Sequence, residues 1–74
     1  MEIAHILVKC DDENDDVLDE LQLIDGVKEV KKTFGAYNAV VKLEAETVSK
    51  IKNIISDKIR NKRGVLSTLT LVTA

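Results

Sequence analysis

Apolar positions along the chain follow two alternating periods. Residues 2 to 10, EIAHILVKC, are rich in β-branched and apolar side chains and run into an acidic cluster, which predicts a strand. From Asp15 to Ile24, Val17, Leu21 and Ile24, with Leu18 beside them, keep the i, i+4, i+7 spacing of one helical face. Asp25-Gly26 then stops the helix, because glycine takes the left-handed conformation that closes a helix end. Val27 to Phe34 predict a second strand, so rich in Lys that it belongs at a sheet edge, where charge discourages further pairing. Gly35-Ala36-Tyr37 connects it, as a hairpin, to a third strand from Asn38 to Glu44. From Thr47, the residues Val48, Ile51, Ile55 and Ile59 define a second amphipathic helix that ends at Gly64. Val65 to Thr73 alternate well enough to form the last strand.

The chain thus repeats strand, helix, Gly-Val, strand, with LIDGV at residues 23 to 27 and NKRGV at residues 61 to 65 in equivalent places. Two β-α-β halves with right-handed crossovers predict an α+β, ferredoxin-like βαββαβ sandwich: an antiparallel four-stranded sheet in the order 4-1-3-2 with both helices on one face. No linker, low-complexity stretch or proline divides residues 1 to 74, so one domain is expected.

Helices on one side leave the other side of the sheet open, and strand parity decides what lies there. On strand one the more apolar row, Ala4, Ile6, Val8 and Cys10, is assigned to the helices, leaving Ile3, His5, Leu7 and Lys9 outside. Strand three turns Ala39, Val41 and Leu43 inward and Asn38, Val40 and Lys42 outward. Simple alternation on strand four puts Val65, Ser67, Leu69 and Leu71 inside and Leu66, Thr68, Thr70 and Val72 outside. The open face then carries Ile3, Leu7, Val40, Leu66 and Val72, more aliphatic surface than a small monomer usually leaves wet, and an interface is expected there. A half-polar, solvated sheet face is the plainer alternative.

Composition narrows the function. A 74-residue chain buries only about 60% of the surface that it exposes when unfolded, so a partner surface helps it. With 45% hydrophobic and 32% charged residues it is expected to be a globular cytoplasmic protein, since no apolar run approaches the length of a membrane span. A net charge of −2 argues against general nucleic-acid binding, which calls for clustered excess Lys and Arg. Phe34 and Tyr37, the only aromatics, make no stacking platform.

Several residues invite chemistry. Gly35 suits a hairpin position with positive φ or a close approach of backbone to a ligand. Tyr37 suits a ligand lid or an interface aromatic. The run Asp11-Asp12-Glu13-Asn14-Asp15-Asp16 resembles a cation loop, but Asp16 and Gln22 stand where an EF-hand needs Gly and Glu. Capping by Asp12 or Asn14 and the helix dipole account for it more simply. His5 and Cys10, an odd five apart on one strand, lie on opposite faces and cannot share a metal within one subunit. His5 with Asp11 and Asp12 remains a candidate metal set, and two copies of His5 could meet across a dimer. The run Arg60-Asn61-Lys62-Arg63 complements the end of a helix dipole. No nucleophile has a base within reach, so no enzyme activity and no cofactor are expected.

Taken together, AHILVK, LQLIDGVKEV, TFGAYNAVVKLEA and GVLSTLT resemble the regulatory domain of the Lrp/AsnC transcription regulators over essentially the whole chain. The resemblance rests on Ile24, Gly26, Val27 and Val30 at the helix end, Gly35, Tyr37 and Asn38 in the hairpin, and Thr68 and Thr70 in the last strand. It implies sheets packed face to face in a homodimer, often with higher assembly, and amino-acid effectors bound in crevices between dimers. By match of motif, the effector residues would be Gly35, Tyr37, Asn38, Thr68 and Thr70. The family's helix-turn-helix is not found before strand one, so direct promoter reading is not expected, and full-length Lrp/AsnC regulators are candidate partners. Asn38 stands where many members carry Asp and offers an effector's ammonium a dipole instead of a charge. The expected function is therefore a small-molecule-binding, oligomer-forming regulatory module. A ligand-free structural domain and a metal-binding oligomer are the alternatives.

Overall fold

A computed structural model describes residues 1–11 and 16–73, with the side chains of Val72 and Thr73 outside the description. The elements are β1 (Glu2–Cys10), α1 (Asp16–Gln22), β2 (Val27–Lys32), β3 (Ala39–Ala45), α2 (Val48–Ile54, continuing into a π-helical turn at Ile55–Ile59) and β4 (Val65–Thr73). The sheet is antiparallel in the order β2-β3-β1-β4, so the expected ferredoxin-like topology stands, with Lys-rich β2 at an edge. β2 ends at Lys32, two residues before the expected Phe34. Beyond it Thr33 N–H donates to the Asn38 carbonyl across a hairpin loop.

The core lies between sheet and helices. Ala4, Ile6 and Val8 of β1, Ala39, Val41 and Leu43 of β3, Val17 and Leu21 of α1, and Ile51 and Ile59 of the second helix are fully buried. Burying a side chain such as Leu21 or Ile6 contributes about 1.5–3 kcal/mol. α1 packs on β2, and α2 on β3 and β1. At Gly26 (φ +97°) the chain turns from α1 into β2, and its carbonyl accepts from Glu44 N–H at 2.8 Å.

The second helix shows how a strict four-residue spacing is accommodated. Ile51, Ile55 and Ile59 are buried at i, i+4 and i+8, yet four residues of α-helix overshoot a full turn by about 40°. The π turn takes back that rotation. Arg60 N–H reaches the Ile55 carbonyl, five residues back, at 2.8 Å.

Strand four departs from simple alternation. Lys9 pairs with Ser67, but Cys10 pairs with Val65, so Leu66 is an extra residue on β4. Such a bulge flips every later side chain to the other face. Ser67, Leu69 and Leu71 therefore stand opposite Lys9, Leu7 and His5 on the open face, while Thr68 and Thr70 stand opposite Val8 and Ile6 on the helix side. The expected assignment of these five residues is thus reversed. Leu69 and Leu71 are about half exposed, at 47% and 53%. The open face accordingly carries Ile3, Leu7, Val40, Leu69 and Leu71, with Leu7 directly between Val40 and Leu69 in the register. Val72 lies opposite Ala4 in the same register.

Candidate functional site

Three segments converge where β1 ends: Lys9-Cys10-Asp11, the β2–β3 hairpin, and the start of β4. The topology requires this, because β3 and β4 both run antiparallel to β1 and both begin beside its last residues. Asp11 N–H donates to the Gly64 carbonyl at 2.8 Å, tying the end of β1 to the turn before β4. Between these segments lies a cleft of about 490 Å³ lined by Lys9, Cys10, Asp11, Gly35, Ala36, Asn38 and Leu66. Leu66 also lines a depression of about 250 Å³, together with Arg60, Val65, Ser67 and Thr68.

Asn38 is fixed from three directions. Its Oδ1 accepts from Cys10 N–H at 2.8 Å. Its backbone N–H donates to the Val8 carbonyl at 2.9 Å, and its carbonyl accepts from Thr33 N–H at 2.7 Å. The side-chain amide thus extends the β1–β3 ladder one step past Ala39, a structural task the sequence alone does not reveal. Thr33 Oγ1 donates to the Tyr37 carbonyl at 3.0 Å and braces the hairpin from inside. Gly35 sits in that loop at φ +112°, and a Cβ there would meet no atom within 4 Å. Its turn geometry requires glycine, while the space beside it is open to the cleft.

The five residues expected to hold an effector are only partly brought together. Gly35 and Asn38 share the larger cleft, and Thr68 lines the smaller one. Tyr37 is half-buried in the hairpin and lines neither, and Thr70, opposite Ile6, lies farther along β4. Sequence reasoning did not assign Lys9, Arg60 or Leu66 to the site, nor Asp11 in this role. The 4-1-3-2 strand order could have indicated Lys9 and Asp11, because it sets the end of β1 beside the hairpin. Lys9 and Asp11 bring one residue of each charge to the lining of the larger cleft.

The metal candidates separate. His5 lies mid-strand opposite Lys42, beside a depression that Glu29, Lys31, Val40 and Lys42 also line. Asp11 is six residues farther along, or about 20 Å of extended chain. Asp12, like the rest of the acidic run through Asp15, lies outside the described residues. Among the described residues no group of three or more His, Cys, Asp or Glu is placed to hold a metal ion. Lys62 of the basic run lies 3.8 Å from Glu20 of α1. No helix of the described residues is long and apolar enough to cross a membrane.

The two-layer arrangement is that of a ferredoxin-like regulatory domain. The chain belongs to the Lrp/AsnC ligand-binding domain family, whose model matches residues 3–73, as the sequence motifs suggested. Homocitrate synthase of Saccharolobus islandicus is 42% identical over 69 residues, covering 90% of this chain, and the chain spans only 15% of that enzyme's length. Among solved structures, FFRP-DM1 superposes with a TM-score of 0.93 at 28% identity, covering all of both chains. The transcriptional regulator NMB0573 of Neisseria meningitidis, solved as an L-Met complex, superposes with a TM-score of 0.84 at 12% identity, over 99% of this chain and 49% of its own.

Proposed function

We propose that this chain is an amino-acid-sensing regulatory module in which the cleft at the hairpin end of the sheet holds the effector. The carrying observation is that this cleft sets Lys9 and Asp11 in one wall with Gly35 and Asn38, in a member of a ligand-binding family. Lys9 would take the effector's carboxylate and Asp11 its ammonium, with Leu66 against the apolar part of its side chain. The L-Met complex of a regulator with the same fold supports an amino acid as the class of ligand. Thr68 and Thr70 would act from the adjoining helix side of β4, and Tyr37 from the hairpin.

The module would work in the cytoplasm as a homodimer through its open apolar face, with full-length Lrp/AsnC regulators as possible partners in mixed assemblies. A second reading is favoured by the match to homocitrate synthase: the effector signal would then reach a biosynthetic enzyme instead of a promoter.

Thermal-shift screening against the twenty amino acids tests effector binding. A ligand at 100 times its Kd adds about 2.7 kcal/mol of stability, and Lys9→Ala and Asp11→Ala should each abolish the shift. Indifference to all twenty would leave a structural interaction domain. Light scattering of Leu7→Glu tests the face, and a variant assembly of unchanged mass would rule out that dimer.

A further inference from the structure

Arg60 follows buried Ile59 at the end of the π-helical turn, and its exposed side chain emerges beside the start of β4. There it lines the depression of about 250 Å³ with Val65, Leu66, Ser67 and Thr68, and none of these five residues is acidic. Nearby in the chain, Lys62 lies 3.8 Å from Glu20, whereas Arg60 pairs with no carboxylate among the described residues. The depression thus gathers a guanidinium and two hydroxyls without an anion to answer them. A guanidinium is a planar fork that matches a carboxylate through two parallel hydrogen bonds. The depression also adjoins the larger cleft. Ser67 of the one lies directly opposite Lys9 of the other, and Cα atoms so paired are about 4.5–5.5 Å apart. Leu66 lines both.

We infer that the effector is an amino acid with a second carboxylate on its side chain and that Arg60 selects it, an assignment that rests on the sensing role proposed above. With the α-carboxylate at Lys9 and the ammonium at Asp11, the side-chain methylenes cross Leu66. The second carboxylate then accepts from the Arg60 guanidinium and from the Ser67 and Thr68 hydroxyls. A cationic side chain would be repelled in that place. An apolar one would cover the guanidinium and give it no acceptor, which costs binding.

Titration calorimetry with two matched pairs, L-glutamate against L-glutamine and L-aspartate against L-asparagine, tests it, because each pair differs in charge and hardly in shape. Wild type should bind the better acidic member about tenfold tighter than its amide, the worth of one hydrogen bond to a charged group. In Arg60→Gln that ratio should collapse, and Arg60→Lys, which keeps the charge without the fork, should retain part of it. Arg60 closes the π turn through its backbone N–H, so both variants should keep the wild-type circular dichroism spectrum. Equal or tighter binding of the amides by wild type, or an acidic preference that survives Arg60→Gln, would overturn the selection and leave amino-acid sensing standing. Binding of no amino acid at all would sink the sensing role and this assignment with it. Inorganic phosphate supplies the remaining arm. Phosphate that binds through Arg60 and is displaced by the acidic amino acids agrees with a shared site, whereas phosphate that they do not displace would assign the depression to a free anion and overturn the inference.

Discussion

Replacing Gly26 and Gly35 in turn by alanine separates backbone strain from crowding, because the two glycines share a conformation and differ in surroundings. Both hold positive φ, at +97° and +112°. Holding a residue other than glycine in so sparsely populated a region costs of order 1–3 kcal/mol. At Gly35 that is the whole cost, since a Cβ would meet nothing within 4 Å. At Gly26 the new methyl would lie 3.1 Å from the Glu44 carbonyl oxygen and 3.3 Å from the Cδ1 atoms of Ile54 and Leu43. The side chains can give way, but the backbone oxygen sits in a strand whose neighbouring N–H bonds Gly26 itself. Crowding of that kind adds about 1–3 kcal/mol. Gly26→Ala should therefore destabilise by about 2–6 kcal/mol and Gly35→Ala by about 1–3, measured by urea denaturation at one protein concentration, since self-association links stability to concentration. Equal losses, or a larger loss at Gly35, would refute the reasoning. The same pair reports on the cleft: if effector binding falls in Gly35→Ala well beyond its loss of stability, the glycine admits the ligand as well as making the turn.

Asn38→Ala leaves Cys10 N–H without its 2.8 Å acceptor and should cost about 1–3 kcal/mol, with amide exchange at Cys10 accelerating before that of the rest of β1. Thr47 caps α2 by accepting from Lys50 N–H at 3.1 Å, so Thr47→Ala should lower stability in denaturant melts by about 1 kcal/mol. The hydrogen bond from Lys50, followed by its charge, holds the Glu46 carboxyl below its ordinary value. A carboxyl lowered on folding stabilises the protein above its unfolded value and loses that contribution as pH falls through the folded one. Glu46→Gln should remove this small share of the acid-side slope in stability measured between neutral pH and pH 3, and a slope identical to wild type would count against the pair.

Most of the fold was legible because its period signals agree with one another. Alternation in β1 and β3 identified the buried rows Ala4, Ile6, Val8 and Ala39, Val41, Leu43, and Gly26 marked the end of the first helical unit. Strand four was misread past Val65 because VLSTLTLVT alternates without strong contrast, so nothing in it marks where an extra residue enters. That bulge is visible only in the pairing with β1. The candidate site was half legible for a related reason: hairpin and strand motifs pointed to Gly35, Asn38 and Thr68, whereas Lys9 and Asp11 join the first two only through strand order, and Arg60 reaches the cleft at Thr68 from the end of the second helix. The structural task of Asn38 was not legible either, because an amide suited to a ligand is equally suited to a backbone N–H.

Leu66 carries a consequence of a different kind. As the surplus residue of β4 it forms the bulge that keeps Leu69 and Leu71 on the open face, and it lines both clefts, including the space proposed for the effector. Losing this one position would straighten the strand without turning it over, because Val65 would still meet Cys10 and Ser67 would still meet Lys9. The apolar association surface therefore tolerates the loss of the very residue that lines both recesses, and such a deletion would alter the proposed effector space while leaving the open face as it is.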